Sequence, residues 1–365
     1  MNPKISHWIR PEIQKLSAYH VPPAEGLIKL DAMENPYTWS NELLDEWMEK
    51  LRVTSVNRYP DPAGTHLRER LTEVMSVPQG QGVLLGNGSD ELIQIIAMAV
   101  SGSDRVVMAP QPSFVMYQMI ATFVAMRFVP VPLRAADFSL DMEAMLAAVE
   151  EHHPAVIFLA YPNNPTGNHW DRSDIERIIE IAPGLVVVDE AYSPFAADSF
   201  MSSLGRRPNL LVMRTLSKLG LAGLRLGYLC GPQDWLEQFD KVRMPYNINT
   251  LTQVSAELAL RYGEFFQQQA EVIKLDRMGL LEDLQTLSGV EVFPSEANFI
   301  LFRVPAGKAQ TIHQALLQQG VLIKLLSGSA PMLVDCLRVT VGTRAENQAF
   351  ILALRKIIGN FPDPL

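Results

Sequence analysis

Lys218 lies in the run Arg214-Thr215-Leu216-Ser217-Lys218-Leu219-Gly220-Leu221-Ala222-Gly223-Leu224-Arg225, where hydroxyls and small residues flank the lysine and an arginine follows seven positions on. This is what an enzyme needs to hold a phosphorylated aldehyde as a Schiff base: an amine to condense with the aldehyde, and hydroxyls, amides and a cation for the phosphate. Most lysines are solvated surface charges, so the reading depends on what the rest of the chain supplies.

Asp189 closes the apolar run Leu185 to Val188. A carboxylate there is desolvated unless it meets a cation. A protonated pyridine nitrogen is such a cation, and the pairing keeps the ring an electron sink for a carbanion at a substrate α-carbon. Tyr192, three residues on, can present its phenol to a ring oxygen. Asn164, in Asn164-Pro165-Thr166-Gly167, is either part of an ordinary turn or a carboxamide that donates to the same oxygen. Gly86-Asn87-Gly88-Ser89-Asp90 precedes a helical pattern. Its glycines and the free amides of a helix N-terminus make an anion site, unless Ser89 or Asp90 is simply a cap. The cofactor that answers these needs together is pyridoxal 5'-phosphate.

The elements that must position these groups follow from the apolar periodicity. From about residue 80, short β-branched runs alternate with helical patterns: Val83 to Leu85 before Glu91 to Val100, Arg105 to Ala109 before a helix near Tyr117, and Ala155 to Ala160 before Asp171 to Ile181. Leu185 to Val188, Leu210 to Met213 and Gly227 to Leu229 continue the strand series. Apolar runs with helical crossovers predict a mostly parallel sheet covered on both faces, with its ligand site beyond the carboxyl ends of the strands. Beyond residue 250 two long amphipathic helices, Leu251 to Tyr262 and Phe265 to Leu287, precede strands near Val290, Phe299, Leu322 and Leu337 and a closing helix over Glu346 to Ile358. This predicts a smaller α+β domain. The expected division is an N-terminal arm, residues 1–40, extended around Pro22 and Pro23 and packed on the small domain; a large cofactor-binding domain, 41–250; and a small domain, 251–365.

Composition narrows the function classes. A chain of 365 residues with 48% hydrophobic and 19% charged residues is an ordinary globular one. A net charge of -9 without a lysine/arginine block argues against nucleic acid as a partner. Met1 to Arg10 lacks the apolar stretch of a secretory signal, and no segment approaches the roughly 20 apolar residues of a membrane span, so a cytoplasmic protein is expected. Cys230 and Cys336 sit in apolar strand-like runs and read as buried free thiols. The histidines, including the pair His152 and His153, show no metal-ligand spacing, and no metal is assigned.

The order and spacing of these clusters resemble the fold-type I pyridoxal-phosphate aminotransferases, and within them the histidinol-phosphate aminotransferase family. The resemblance runs from Leu30-Asp31-Ala32-Met33-Glu34-Asn35-Pro36-Tyr37 through Asn57-Arg58-Tyr59-Pro60-Asp61-Pro62 to Cys336-Leu337-Arg338-Val339-Thr340-Val341-Gly342-Thr343, nearly the whole chain. It implies an α/β fold in which a large domain with a mostly parallel seven-stranded sheet carries the cofactor beside a smaller α+β domain. It further implies that Lys218 is the Schiff-base lysine, that Asp189 holds the ring nitrogen, and that Tyr192 and Asn164 contact O3'. Ser89, Asp90, Thr215, Ser217 and Arg225 then bind the phosphate. Phe114 matches the ring-stacking aromatic, ahead of Tyr117. Arg338 matches the clamp for a substrate α-carboxylate, Tyr19 a tyrosine near the substrate phosphate, Asn35 a substrate-side residue, and Tyr59 a residue that reaches into the neighbouring subunit's site of a homodimer. Where the family usually has arginine this chain has Lys324, which keeps the charge and loses the two-pronged geometry.

The activity implied is transamination between histidinol phosphate and 2-oxoglutarate in two half-reactions, with small-molecule substrates and no membrane partner. Alternatives on the same scaffold are an aromatic or broad-specificity aminotransferase and a phospho-amino-acid decarboxylase. From a different class, a cofactor-sensing regulator would need a DNA-binding module, for which no stretch before Leu30 has room.

Overall fold

A computed structural model describes residues 3–18 and 21–359. Strand β1 (Ile28–Leu30) is followed by β2 (Gln81–Asn87), β3 (Val106–Gln111), β4 (Arg127–Pro132), β5 (Val156–Ala160), β6 (Leu185–Asp189), β7 (Leu210–Thr215) and β8 (Leu226–Pro232). Then come β9 (Glu291–Val292), β10 (Phe299–Arg303), β11 (Val321–Leu325) and β12 (Cys336–Thr340). They form two sheets, one of seven strands in the order β2-β8-β7-β6-β5-β3-β4 and one of five in the order β1-β11-β12-β10-β9.

The central strands of the large sheet are buried along almost their whole length because they are nearly continuous Val, Ile, Leu and Met. Alternation then divides their side chains between two layers. Val107, Phe158 and Val187 pack with Leu92, Ile96, Tyr117 and Ile120 of the helices Gly88–Val100 and Met116–Phe123. Met108, Ile157 and Val186 pack on the opposite face with Leu67, Leu71, Ile175 and Ile178. Each such aliphatic side chain contributes about 1.5–3 kcal/mol over its exposed state.

Two features of this mostly parallel seven-stranded sheet are not specified by the sequence reading. Strand β4 is not among the predicted strands; it carries Pro130 and Pro132, which weaken the strand signal but are tolerated because β4 pairs only with β3 at the sheet edge. Strand β8 runs antiparallel to both of its neighbours, β2 and β7. Its reversal brings its first residues, not its last, to the edge where the parallel strands end.

The five-stranded sheet is covered by the helices Gly263–Gln285, Ala309–Gln318 and Arg344–Ile358, whose Leu280, Leu284, Ile312, Leu316, Phe350 and Leu354 meet Ile300 and Phe302. The last helix starts on a capping box in which Thr343 and Glu346 satisfy each other's amides. The N-terminal arm is shared between the two sheets. Strand β1 adds to the small sheet parallel to β11, with Leu30 opposite Ile323. Upstream, the Arg10 guanidinium donates to the carbonyls of Thr122 (3.2 Å) and Phe123 (2.6 Å) at the end of a helix of the large sheet. Both cysteines are free and buried. Among the described residues no helix is long and apolar enough to cross a membrane.

Candidate active site

The carboxyl ends of β5, β6 and β7 and the reversed start of β8 open on one cavity of about 370 Å³. It is lined by Ser89, Asp90, Phe114, Asn164, Asp189, Tyr192, Thr215, Ser217, Lys218 and Arg225, all singled out from the sequence. Ala32, Met33 and Glu34, which run on from β1, close it from the side of the small sheet.

Lys218 stands in the loop 216–225 that joins β7 to β8, with Nζ 5.7 Å from the centre of the Tyr192 ring and 3.5 Å from the Ala32 carbonyl oxygen, to which it donates. Burial, and after it the positive charge of Arg338, bring its ammonium down to about 8, against the opposing pull of Glu34 and Asp90. An appreciable fraction of it is therefore the free amine near neutral pH.

Asp189, the last residue of β6, is 4% exposed. Its Oδ1 accepts from the Ala191 amide at 3.1 Å and its Oδ2 from the Tyr117 hydroxyl at 2.7 Å. Burial raises its carboxyl to about 6 in spite of these two donors. Among the described residues it forms no ion pair, so the carboxylate faces the cavity without a cation.

The helix Gly88–Val100 presents its first turn to the same cavity. Gly88 has φ +75, and a Cβ there would stand 2.7 Å from Arg225 Nη2. Arg225 is itself held at φ 50, a backbone region costly for a side-chain-bearing residue. Its Nη2 is 3.5 Å from Asp90 Oδ2, while Asp90 Oδ1 is buried without a hydrogen-bond partner. Asp90 is raised by burial, with Arg225 and Lys218 pulling the other way. The Thr215 hydroxyl donates to the Leu226 carbonyl (3.1 Å) and accepts from the Ser217 amide (3.2 Å), which fixes the turn that enters the Lys218 loop. Hydroxyls, a helix N-terminus, a guanidinium, an amine and a buried carboxylate without an ion pair, all on one cavity, fit a flat ring that is phosphorylated at one position and cationic at another.

The substrate-side residues are distributed differently. Arg338 on β12 donates to Asn164 Oδ1 and to the Asp31 carbonyl (3.0 Å), and its guanidinium lies 5.2 Å from the centre of the Phe299 ring. Asn164 thus uses its oxygen on the small sheet and has its Nδ2 for the cavity. Lys324 stands directly opposite Arg338 in the β11–β12 pair, on the same sheet face. Asn35 does not line the cavity. Its Nδ2 donates to the Leu219 carbonyl (3.3 Å) and Gln269 Oε1 (3.0 Å), so it ties the segment after β1 to the lysine loop. Tyr59 is 81% exposed and stacks on Tyr246 with ring centres 4.5 Å apart, outside the cavity. Tyr19 lies outside the described residues.

Several supporting residues are not evident from the sequence. Asn163 is fully buried; its Nδ2 donates to the Pro112 carbonyl (3.0 Å) and Thr166 Oγ1 (2.7 Å), and its Oδ1 accepts from Ser113 Oγ (2.8 Å), joining the Phe114 loop to the Asn164 loop. Glu190, also fully buried, pairs with Arg214 at 2.8 Å and ties β6 to β7 behind the site. Tyr117, in sequence only a second candidate for the stacking ring, holds Asp189 through its hydroxyl. The doubled Asn163-Asn164 and the acid directly after Asp189 are visible signals; nothing in the sequence marks the tyrosine's partner.

The family described as aminotransferase class I and II matches residues 25–354 of this chain. Histidinol-phosphate aminotransferase 2 of Nitrosococcus oceani is 56% identical over 352 residues, covering 96% of this chain and 98% of that protein. Histidinol-phosphate aminotransferase 2 of Cupriavidus pinatubonensis is 53% identical over 354 residues, 96% of each. Among solved structures, histidinol-phosphate aminotransferase from Sinorhizobium meliloti in complex with pyridoxal-5'-phosphate superposes with a TM-score of 0.84 at 26% identity, covering 96% of this chain and 98% of that one.

Proposed function

Because the chain belongs to the aminotransferase class I and II family, we propose that it is a cytoplasmic pyridoxal 5'-phosphate enzyme that passes the amino group of histidinol phosphate to 2-oxoglutarate, giving imidazole-acetol phosphate and glutamate in histidine biosynthesis. The observation that carries this reading is the convergence of Lys218, Asp189 and Arg225 on a single cavity.

When bound, the cofactor supplies a protonated ring that draws off the electron pair left at a substrate α-carbon. Lys218 would hold it through Nζ, with Asp189 at the ring nitrogen, Asn164 and Tyr192 at the ring oxygen, and Phe114 on the flat face. Ser89, Asp90, Thr215, Ser217 and Arg225 would take the phosphate. Once freed by an incoming amine, Lys218 Nζ would take a proton from the donor's α-carbon in one half-reaction and give one to the acceptor's α-carbon in the other. Its lowered basicity suits a group that must both accept and release a proton near neutral pH. Asp189 keeps the proton on the ring nitrogen by giving that cation a buried counter-charge. Arg338 receives the α-carboxylate of glutamate, for which its planar fork is matched. Lys324 beside it adds a positive charge for the phosphate of the other substrate.

A homodimer is part of the same reading, with Tyr59 reaching the neighbouring cavity. The stacked, exposed Tyr59 and Tyr246 are accompanied by exposed Met48, Val53, Val56 and Met244, more apolar surface than an isolated subunit needs. Sedimentation of the holoenzyme at micromolar concentration is expected to give a dimer.

The activity is tested with a substrate panel, following glutamate formation from 2-oxoglutarate with histidinol phosphate, phenylalanine, tyrosine and threonine phosphate while scoring carbon dioxide. Histidinol phosphate is expected to give the highest kcat/KM, without carbon dioxide. Equal rates for the aromatic amino acids would replace this assignment with a broad-specificity one, and carbon dioxide release with a decarboxylase.

A further inference from the structure

The hydroxyl of Tyr117 is among the most deeply buried polar groups of the site. The residue is 1% exposed, on the helix Met116–Phe123, and donates to Asp189 Oδ2 at 2.7 Å. Its ring lies flat on Phe158 of β5, with centres 4.9 Å apart and planes at 7°, and meets the Phe114 ring edge-on at 5.6 Å and 86°. One side chain therefore touches both the carboxylate at one edge of the cavity and the aromatic ring that forms its wall.

The electrostatics give that contact a purpose. The titratable groups that act on Asp189 are Tyr117 itself, Asp90 from the helix Gly88–Val100, and Glu190 from the chain that continues β6, while Tyr192 acts on Tyr117. Burial, and after it the two carboxylates, push its charge off, and two neutral donors, Tyr117 Oη–H and the Ala191 amide, oppose them. The amide is fixed by the backbone, whereas the Tyr117 hydroxyl is a side-chain donor that sets where Oδ2 points.

We propose that Tyr117 is a positioning residue that acts through Asp189 and Phe114, its hydroxyl aiming the carboxylate at the ring nitrogen and its ring edge bracing the aromatic wall. Tyr117 touches neither substrate nor reacting atoms in this arrangement. It keeps Asp189 ionised and still, so that a cationic ring is held at one nitrogen and across one face by parts of a single packed unit. This rests on the reading of the cavity as a pyridoxal 5'-phosphate site, and the experiment separates the two.

Pyridoxal 5'-phosphate affinity is measured by fluorescence between pH 5 and pH 9 for wild type, Tyr117→Phe, Asp189→Asn and the double variant. Tyr117→Phe keeps the stacked ring and loses only the donor. Its dissociation constant is expected to rise about tenfold at pH 7.5. The pH below which affinity falls is expected to move upward, because a carboxylate with one donor fewer is protonated sooner. In the Asp189→Asn background the same change should have little further effect, the signature of action through Asp189 rather than through packing. Should Tyr117→Phe fail to fold, fluorotyrosine placed at position 117 makes the hydroxyl a stronger donor at nearly the same volume and should move the pH midpoint downward. An unchanged affinity and midpoint in Tyr117→Phe, or an equal loss with and without Asp189, overturns the proposal. A wild type that does not bind pyridoxal 5'-phosphate overturns the functional reading itself.

Discussion

Lys324 and Arg338 stand directly opposite one another on β11 and β12, two cations on one face of the small sheet. They differ in kind: the guanidinium already donates to Asn164 and to the Asp31 carbonyl, so its direction is fixed, whereas Lys324 is a point charge on a flexible stem. Replacing Lys324 with methionine should raise KM for histidinol phosphate about tenfold, near 1.4 kcal/mol of binding, and leave KM for glutamate within about twofold. Lys324→Arg should restore the first value. Steady-state kinetics of both half-reactions decide it; equal effects on both substrates would remove Lys324 from phosphate recognition.

Lys218→Ala removes the only amine that the described cavity lining offers. The purified variant should lack the visible absorbance of the covalently held cofactor and lose at least about 10⁴-fold in kcat, with KM little affected because the lysine acts on the proton rather than on binding. Spectrophotometry and a single-turnover assay check both. Retained multiple turnover would refute the assignment.

The buried charges make the cofactor-free protein sensitive to pH in two opposite senses. Asp189 is raised from 3.8 to about 6, so between those values the native state binds more protons than the unfolded state, and stability falls as pH rises through about 6. Lys218 is lowered from 10.5 to about 8, so the native state there binds fewer protons and stability rises with pH across that upper window. Urea unfolding of cofactor-free wild type should therefore lose roughly 2 kcal/mol more between pH 4.5 and 7.5 than Asp189→Asn does, since each pH step of one between 4.5 and 6 costs about 1.4 kcal/mol. Identical pH profiles for the two proteins would mean that Asp189 is not desolvated.

Gly227, near the start of β8, lies against the backbone that opens the helix Gly88–Val100: a Cβ there would meet Gly88 C at 2.5 Å and Ser89 N at 2.7 Å. Neither atom can swing aside as a side-chain tip can. Gly227→Ala should push the helix N-terminus off β8, raise the dissociation constant for pyridoxal 5'-phosphate more than about tenfold, and destabilise the apoprotein by about 1–3 kcal/mol. Fluorescence titration and chemical unfolding measure the two effects, and wild-type affinity would show that the loop does not depend on this contact.

Much of this is legible in the sequence because the chemistry is local. The Val-rich runs before Asp189 and Asn164 announce buried parallel strands, and the groups at their ends have to share an edge. Two things are hidden. The direction of β8 cannot be read from Gly227 to Leu229, because an apolar run has the same pattern whichever way it runs, and so motif rather than topology places Arg225. Tyr117 reads from the sequence only as a second candidate for the stacking ring, and its side chain lies in the core. That its hydroxyl meets an acid 72 positions away depends on the crossing of a helix and a sheet, which composition does not encode. Asn35 shows the converse, a residue marked as substrate-facing whose amide is occupied by Leu219 and Gln269.

The reversal of β8 makes β7 and β8 a hairpin whose loop, 216–225, contains both Lys218 and Arg225. In the proposed function, attachment and anchorage of the same small molecule are thus encoded on one continuous ribbon closed by neighbouring strands. An insertion of a single residue in that loop would displace amine and guanidinium together, whereas one in the loop after β5 would disturb Asn164 alone. Over evolutionary time such a loop should vary in side chains but not in length, while lengths elsewhere around the cavity drift.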